Sequence, residues 1–224
     1  MTQALLFDFD GLIMDTESTE VQIWREIYAD YQTEFPLDIW VREVVGSTDD
    51  NFDPAAHLAA VTGRTLVLPA IHEQARSLRM DRQSRLTALP GVDGVLADAS
   101  RLGLRLAIVS SSPHWWVDGY LRQLALTGSF EQVICREDAA RVKPAPDLYL
   151  KALESMGLPT AECLAFEDSP NGVLAARRAG LKVVGVPNHV TAQAGPLPAD
   201  LVLSSLTELP LEVILEKLNH KGPS

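Results

Sequence analysis

Residues 5–15 read LLFDFDGLIMD. An apolar run, Leu5, Leu6 and Phe7, ends in two aspartates separated by one residue. The run predicts a short buried strand over residues 3–10, and on a strand the side chains at i and i+2 share a face. Asp8 and Asp10 are then expected side by side. Two carboxylates that close repel, and one stays protonated unless positive charge stands near them. The stretch therefore demands two things of the rest of the chain: further strands to bury it, and a cation.

The strands come late. Over residues 16–86 the pattern is helical: TESTEVQIWREIYADYQ places Val21, Trp24, Ile27, Tyr28 and Tyr31 at helical spacing, and AAHLAAV and AIHEQARSLRMDRQSRL have the same character. Pro36, Gly46, Pro54, Gly63 and Pro69 read as breaks between short helices. From Leu89-Pro90-Gly91 onward, helical stretches alternate with the apolar strands LRLAIV, QVICRE, ECLAFED, KVVGV and DLVLSS. Strand–helix alternation with continuous apolar strands predicts an α/β fold, a parallel sheet flanked by helices. One strand cannot fold alone, so the first must join this later section. The helical stretch is then an insertion, with connections near residues 14–18 and 84–90.

In an open α/β sheet, ligands bind beyond the carboxyl ends of the strands. The first strand ends in Asp8 and Asp10, LRLAIV in Ser110, Ser111 and Ser112, and CLAF in Glu167 and Asp168. Parallel strands bring all of these to one edge. Four carboxylates need counter-charge, and oxygen ligands of this kind suit Mg²⁺. A lysine is the second source. None precedes Lys143, which follows QVICRE in a loop stiffened by Pro144 and Pro146. An ammonium fixed beside Asp8 would keep that carboxylate ionised and help bind a phosphoryl group.

Together, DFDGLIMD, the serine after LAIV, Lys143 in KPAPD, and FEDSPNG resemble, in order, the four motifs of the haloacid dehalogenase superfamily. The nearest resemblance is to the group containing β-phosphoglucomutase and small sugar-phosphate phosphatases, and it spans the whole chain. It implies a Rossmann-like parallel-sheet core (1–15 and 87–224) with an inserted α-helical cap domain (16–86). It implies an Mg²⁺-dependent phosphatase acting on a small phosphomonoester. Asp8 would be the nucleophile that forms an aspartyl-phosphate, and Asp10 the acid and then the base. Ser110 and Ser111 would hold phosphoryl oxygens, and Lys143 both nucleophile and phosphate. The metal would be held by Asp8, the backbone carbonyl of Asp10, Glu167 and Asp168.

Each position alone has a plainer explanation: a turn aspartate, a helix-capping serine, a solvated lysine. Four such coincidences in the right order are improbable. Asp15 is read as ordering the turn after the first strand. Trp115 and Trp116 are read as core or cap-interface residues. Of Arg76, Arg79, Arg82 and Arg85, one is expected at most to reach the cleft. Glu17, Glu20, Ser47 and Thr48 are hydroxyl-bonding types expected near the cleft, with His114 as a further substrate contact. They suit a sugar or polyol phosphate.

The second aspartate argues against dehalogenation, and the absence of a cap lysine against phosphonate cleavage. Glu20 stands where the mutase resemblance calls for a histidine, and Asp49 and Asp50 where it calls for basic groups, so hydrolysis is expected over phosphosugar mutase chemistry. A non-enzymatic phosphoaspartate switch is the alternative of another class; the helical insertion and the aspartates on strand one disfavour it.

The 224 residues are 46% hydrophobic, enough for a core plus an inserted smaller unit. The formal net charge of −11 disfavours nucleic acid and anionic lipid as partners. No apolar run reaches membrane-spanning length, and the N-terminus lacks the pattern of a signal peptide. Cys135 and Cys163 lie in apolar runs without metal-like spacing. A cytoplasmic protein is expected, monomeric or homodimeric, with a small molecule as its partner.

Overall fold

A computed structural model describes residues 1–44 and 52–219. The elements begin with β1 (Ala4–Phe7) and four helices, α1 (Thr16–Asp30), α2 (Leu37–Glu43), α3 (Pro54–Thr62) and α4 (Leu68–Gln83). Then follow α5 (Val92–Arg101), β2 (Arg105–Val109), α6 (His114–Gln123), β3 (Gln132–Ile134), α7 (Asp147–Met156) and β4 (Cys163–Glu167). The chain continues through α8 (Pro170–Arg178), β5 (Lys182–Gly185), β6 (Leu201–Val202) and α9 (Leu211–Asn219). The last helix is not among the elements expected above; Leu211, Ile214 and Leu218 form its buried stripe. No helix of the described residues is long and apolar enough to cross a membrane.

The six strands form one parallel sheet in the order β3-β2-β1-β4-β5-β6. The α/β expectation therefore holds. β1 lies at the centre, and the strand order reverses between it and β4, which is where such sheets bind ligands. Alternation along β1 explains its uniform greasiness. Leu5 and Phe7 enter the hydrophobic cluster on one face, and Ala4 and Leu6 the cluster on the other. Phe7 stacks on Phe166 of β4 with centroids 4.7 Å apart. The registers pair Phe7 with Ile108 of β2 and with Phe166 of β4. The three strands thus end level, and the residues after them share one edge.

β1 is shorter than expected, and this changes the relation of the two aspartates. It ends at Phe7, so Asp10 is not on a strand continuous with Asp8. Gly11, at φ 81°, turns the chain sharply there. Asp8 and Asp10 are neighbours around a turn rather than along a pleat.

Helices α1–α4 bury their own cluster, built on Val21, Trp24, Ile27 and Tyr28 of α1 with Trp40, Leu58 and Ile71. Asp15 caps α1, its carboxylate accepting the Ser18 amide at 3.0 Å. The two connections to the sheet run side by side: the amide of Leu89 donates to the carbonyl of Ile13 at 2.8 Å, and Met14 bridges Ala88.

Leu6 is fully buried between the sheet and its helices. Leu6→Ala is expected to lower the unfolding free energy by about 2–5 kcal/mol, read by chemical denaturation. A cost below about 1 kcal/mol would contradict the packing of β1 at the sheet centre.

Candidate active site

The carboxyl ends of β1, β2 and β4 open into a cleft of about 280 Å³ under the helical insertion. Asp8, Asp10, Ser110, Ser111, Lys143 and Asp168 line it from the sheet side, with Thr16, Glu17, Glu20, Trp40 and Val44 opposite. Lys143 reaches its floor from the loop before α7. Its Nζ donates to Asp8 Oδ1 at 2.5 Å and to the Val109 carbonyl at 2.7 Å, and lies 2.7 Å from Glu167 Oε1. Burial works against the ammonium, but Asp8 and Glu167 outweigh it and hold the lysine charged above its ordinary range.

One ammonium is not enough for the acids around it. Asp8, Glu167 and Asp168 are all buried, and one oxygen from each lies within 4.8 Å of the others. Burial first, then the neighbouring carboxylates, pushes Asp8 and Asp168 above the carboxylate range, against the pull of Lys143. Glu167 has one oxygen on Lys143 and on the Tyr149 hydroxyl, which donates at 2.5 Å; the other oxygen is buried and unpartnered. A cluster of hard oxygen donors with surplus negative charge and an orphaned buried oxygen fits a divalent cation such as Mg²⁺. Gly172 makes room for the Glu167 carboxylate, which a Cβ there would strike.

Asp10 stands in a different environment. Its Oδ1 accepts from Thr16 Oγ1 at 2.9 Å and from the Trp116 indole N–H at 2.9 Å, and its Oδ2 from Ser112 Oγ at 2.6 Å. Its side chain is outside the acidic cluster. Trp116 is therefore more than the core or interface residue expected, and Thr16 and Ser112 share its task. Nothing in the sequence distinguishes an indole that packs from one that donates, because the acceptor is 106 residues away. Tyr149 likewise looks like an ordinary core position of α7.

The serines divide their work. Ser110 Oγ accepts the Ser112 amide at 3.0 Å, tightening the turn after β2. Ser111 Oγ is buried without a partner, and the Ser111 carbonyl accepts Arg136 Nε at 3.2 Å at the mouth of the cleft. Ser169 caps α8 by accepting the Gly172 amide, leaving Asp168 free of that duty.

On the opposite wall the expectations divide. Glu17 faces the acids. Both oxygens of Glu20 are taken by the Arg79 guanidinium, so its carboxylate is occupied rather than open to a substrate hydroxyl. Arg79 is the member of the arginine series that approaches the cleft; Arg82 pairs with Glu26. His114 does not line the cleft. Its ring lies 2.7 Å from Asp138 and its amide donates to Glu137, at the start of α6. Ser47 and Thr48, with Asp49 and Asp50, lie outside the described residues.

The haloacid dehalogenase-like hydrolase family matches residues 5–186. The chain is 42% identical over 226 residues to YhcW of Bacillus subtilis (strain 168), covering 99% of this chain and 100% of that one. It is 30% identical to Hexitol phosphatase B of Escherichia coli (strain K12), over 95% of this chain and 96% of that one. Beta-phosphoglucomutase of Bacillus subtilis (strain 168) is 28% identical, over 96% and 95%. Among solved structures, a HAD family hydrolase from Deinococcus radiodurans R1 with bound phosphate and sodium superposes with a TM-score of 0.79 at 27% identity, covering 100% and 99% of the two chains. Fold and site define an enzyme of the hydrolase type. The chain belongs to the haloacid dehalogenase-like hydrolase family.

Glu17 yields a pH dependence. Burial first, then Asp10, Glu20, Asp8 and Asp15, pushes its carboxyl from 4.5 up to about 8. Between those values the folded chain keeps a proton that the unfolded chain releases, so stability falls as pH rises through that window. In chelator the melting temperature is expected to fall from about pH 5 to about pH 8, and Glu17→Gln to flatten the slope. Thermal melts at the two pH values check it; an unchanged slope in the variant would exclude Glu17 as a source.

Proposed function

We propose that the protein is an Mg²⁺-dependent phosphatase that hydrolyses a small phosphomonoester, a sugar or polyol phosphate, through an aspartyl-phosphate on Asp8. The observation that carries this is the placement of Asp8 in the cleft with Lys143 on one of its oxygens, leaving the other to attack. Kinship with a named phosphatase supports the substrate class.

In the first step the free Asp8 oxygen bonds to phosphorus and the bond from phosphorus to the substrate oxygen breaks. Asp10, protonated at that moment, gives its proton to the leaving oxygen. In the second step Asp10, now a carboxylate, takes a proton from water as the water oxygen bonds to phosphorus. The acyl-phosphate bond breaks, releasing inorganic phosphate and Asp8. Splitting one displacement into two lowers each barrier, and a positioned acid–base group contributes about 10²–10⁴-fold. Ser110 and the unpartnered Ser111 hydroxyl hold the phosphoryl oxygens, and Lys143, its three N–H donors committed to Asp8, Val109 and Glu167, attracts them by its charge. A cation held by Asp8, the Asp10 carbonyl, Glu167 and Asp168 supplies charge neutralisation for the transferring group.

The pairing of Arg79 with Glu20 supports hydrolysis over mutase chemistry. A bisphosphate intermediate needs cationic grip at its second phosphate, and this cap guanidinium is already neutralised. Residues 16–86 are proposed to act as a cap whose two connections allow it to move over the cleft. Free, buried Cys135 and Cys163 support a cytoplasmic location.

Phosphate release from a panel of sugar and polyol phosphates tests the proposal. Release is expected with Mg²⁺, lost in chelator, and reduced on the order of 10⁴-fold or more in Asp8→Asn; undiminished release by that variant would exclude Asp8 as nucleophile. Trp116→Phe removes one donor from Asp10 and is expected to lower kcat roughly 10- to 100-fold with KM nearly unchanged. A raised KM with kcat intact would instead make Trp116 a substrate contact.

A further inference from the structure

The loop from β5 to β6 touches both halves of the molecule. Asn188 stands near its start. Its Nδ2 donates to Asp168 Oδ2 at 2.7 Å and to the Gly11 carbonyl at 3.3 Å. Its Oδ1 accepts the amides of Val190 at 2.8 Å and Thr191 at 3.0 Å. A carboxamide has two N–H donors and two lone pairs, and here all four are matched. The side chain therefore has one orientation, and the oxygen it presents to the loop cannot be exchanged for the nitrogen it presents to Asp168.

Each end of this arrangement leads to a different half. On the sheet side, Gly11, Asp168 and Asn188 are in such close contact that a Cβ at Gly11 would collide with both other side chains. On the other side, Val190 is 1% exposed and is buried within the hydrophobic cluster of α1–α4. The turn after it, Thr191–Ala194, packs against α2. Asn188 is thus a polar link between an acidic-cluster carboxylate and an apolar contact with the helices α1–α4.

We propose that Asn188 is a positioning residue that aims Asp168 at the metal from the same loop that seats the cap, so that cap seating and metal affinity are coupled. This rests on the metal-dependent reading above. Asp168 faces Asp8 and Glu167, whose charge favours rotating its carboxylate away. A neutral N–H donor on Oδ2 opposes that rotation and holds the carboxylate beside the cluster. Partners of this kind behind a metal ligand typically change metal affinity by roughly 10–100-fold. Coupling between two sites is reciprocal, so a metal that requires the Asn188 arrangement also favours the seated cap.

Calorimetric titration of Mg²⁺ into the chelator-treated full chain tests this, with thermal melts of the metal-free proteins alongside. Asn188→Ala is expected to weaken Mg²⁺ binding roughly 10- to 100-fold. Val190→Ala keeps Asn188 and every metal ligand but loosens the apolar seat. It is expected to weaken binding roughly 2- to 30-fold. A lower melting temperature with Mg²⁺ affinity unchanged in Asn188→Ala would show a merely structural role and overturn the proposal. Unchanged affinity in Val190→Ala would overturn the coupling. Wild type that binds no Mg²⁺ would remove the metal-dependent reading itself, and this proposal with it; wild type that binds, with variants equal to it, would overturn this proposal alone.

Discussion

A single buried ammonium holds the site together. Lys143 lies between Asp8, Glu167 and the carbonyl of Val109, so it touches residues at the ends of β1, β2 and β4 at once. Removing one partner of such a pair leaves an uncompensated charge in a dry environment, which typically costs about 3–5 kcal/mol. The parallel registers make the arrangement possible, because they end the three strands level. The loop before α7 supplies the lysine from the neighbouring part of the sheet. The acidic surplus that a divalent cation would neutralise gathers around this contact.

The two aspartates of the opening motif show how environment divides the work of like groups. Asp8 sits against the Lys143 ammonium among other carboxylates, with one oxygen left for the attack proposed above. Asp10, beyond the end of β1, receives two hydroxyl donors and an indole N–H. The two carboxyl groups thus have different partners, as the separate tasks proposed for them require. The short β1 is what allows this. Had the strand continued through Asp10, both groups would have faced the same way and shared one environment.

The cleft wall formed by α1 and the α2 segment carries Thr16, Glu17 and Glu20 beside the apolar Trp40 and Val44. Glu20 is closed off by Arg79, while Glu17 remains among the acids with its charge disfavoured. The wall thus offers hydrogen-bonding capacity without a free cation at Arg79, which supports the proposed neutral polyhydroxyl body over a second phosphate.

The apolar run before Asp8 and the later alternation of strands and helices were legible because burial on both faces of a parallel strand demands continuous greasiness, whatever the partners. Asp8, Ser110, Lys143 and Glu167-Asp168 were legible because residues after strand ends must share an edge. Helix α9 has its stripe in Leu211, Ile214 and Leu218 yet follows a run of strands, where its period did not stand out. By itself, then, the sequence determined the α/β architecture, the helices between β1 and α5 and the charged groups that meet at the sheet edge. Only the tertiary structure decided where β1 stops, that Glu20 is taken by Arg79 and His114 by Asp138, and that Trp116, Tyr149 and Asn188 serve the acids. Those are choices among hydrogen-bond partners remote in sequence, and an indole, phenol or carboxamide carries no local mark of which distant acceptor it will meet.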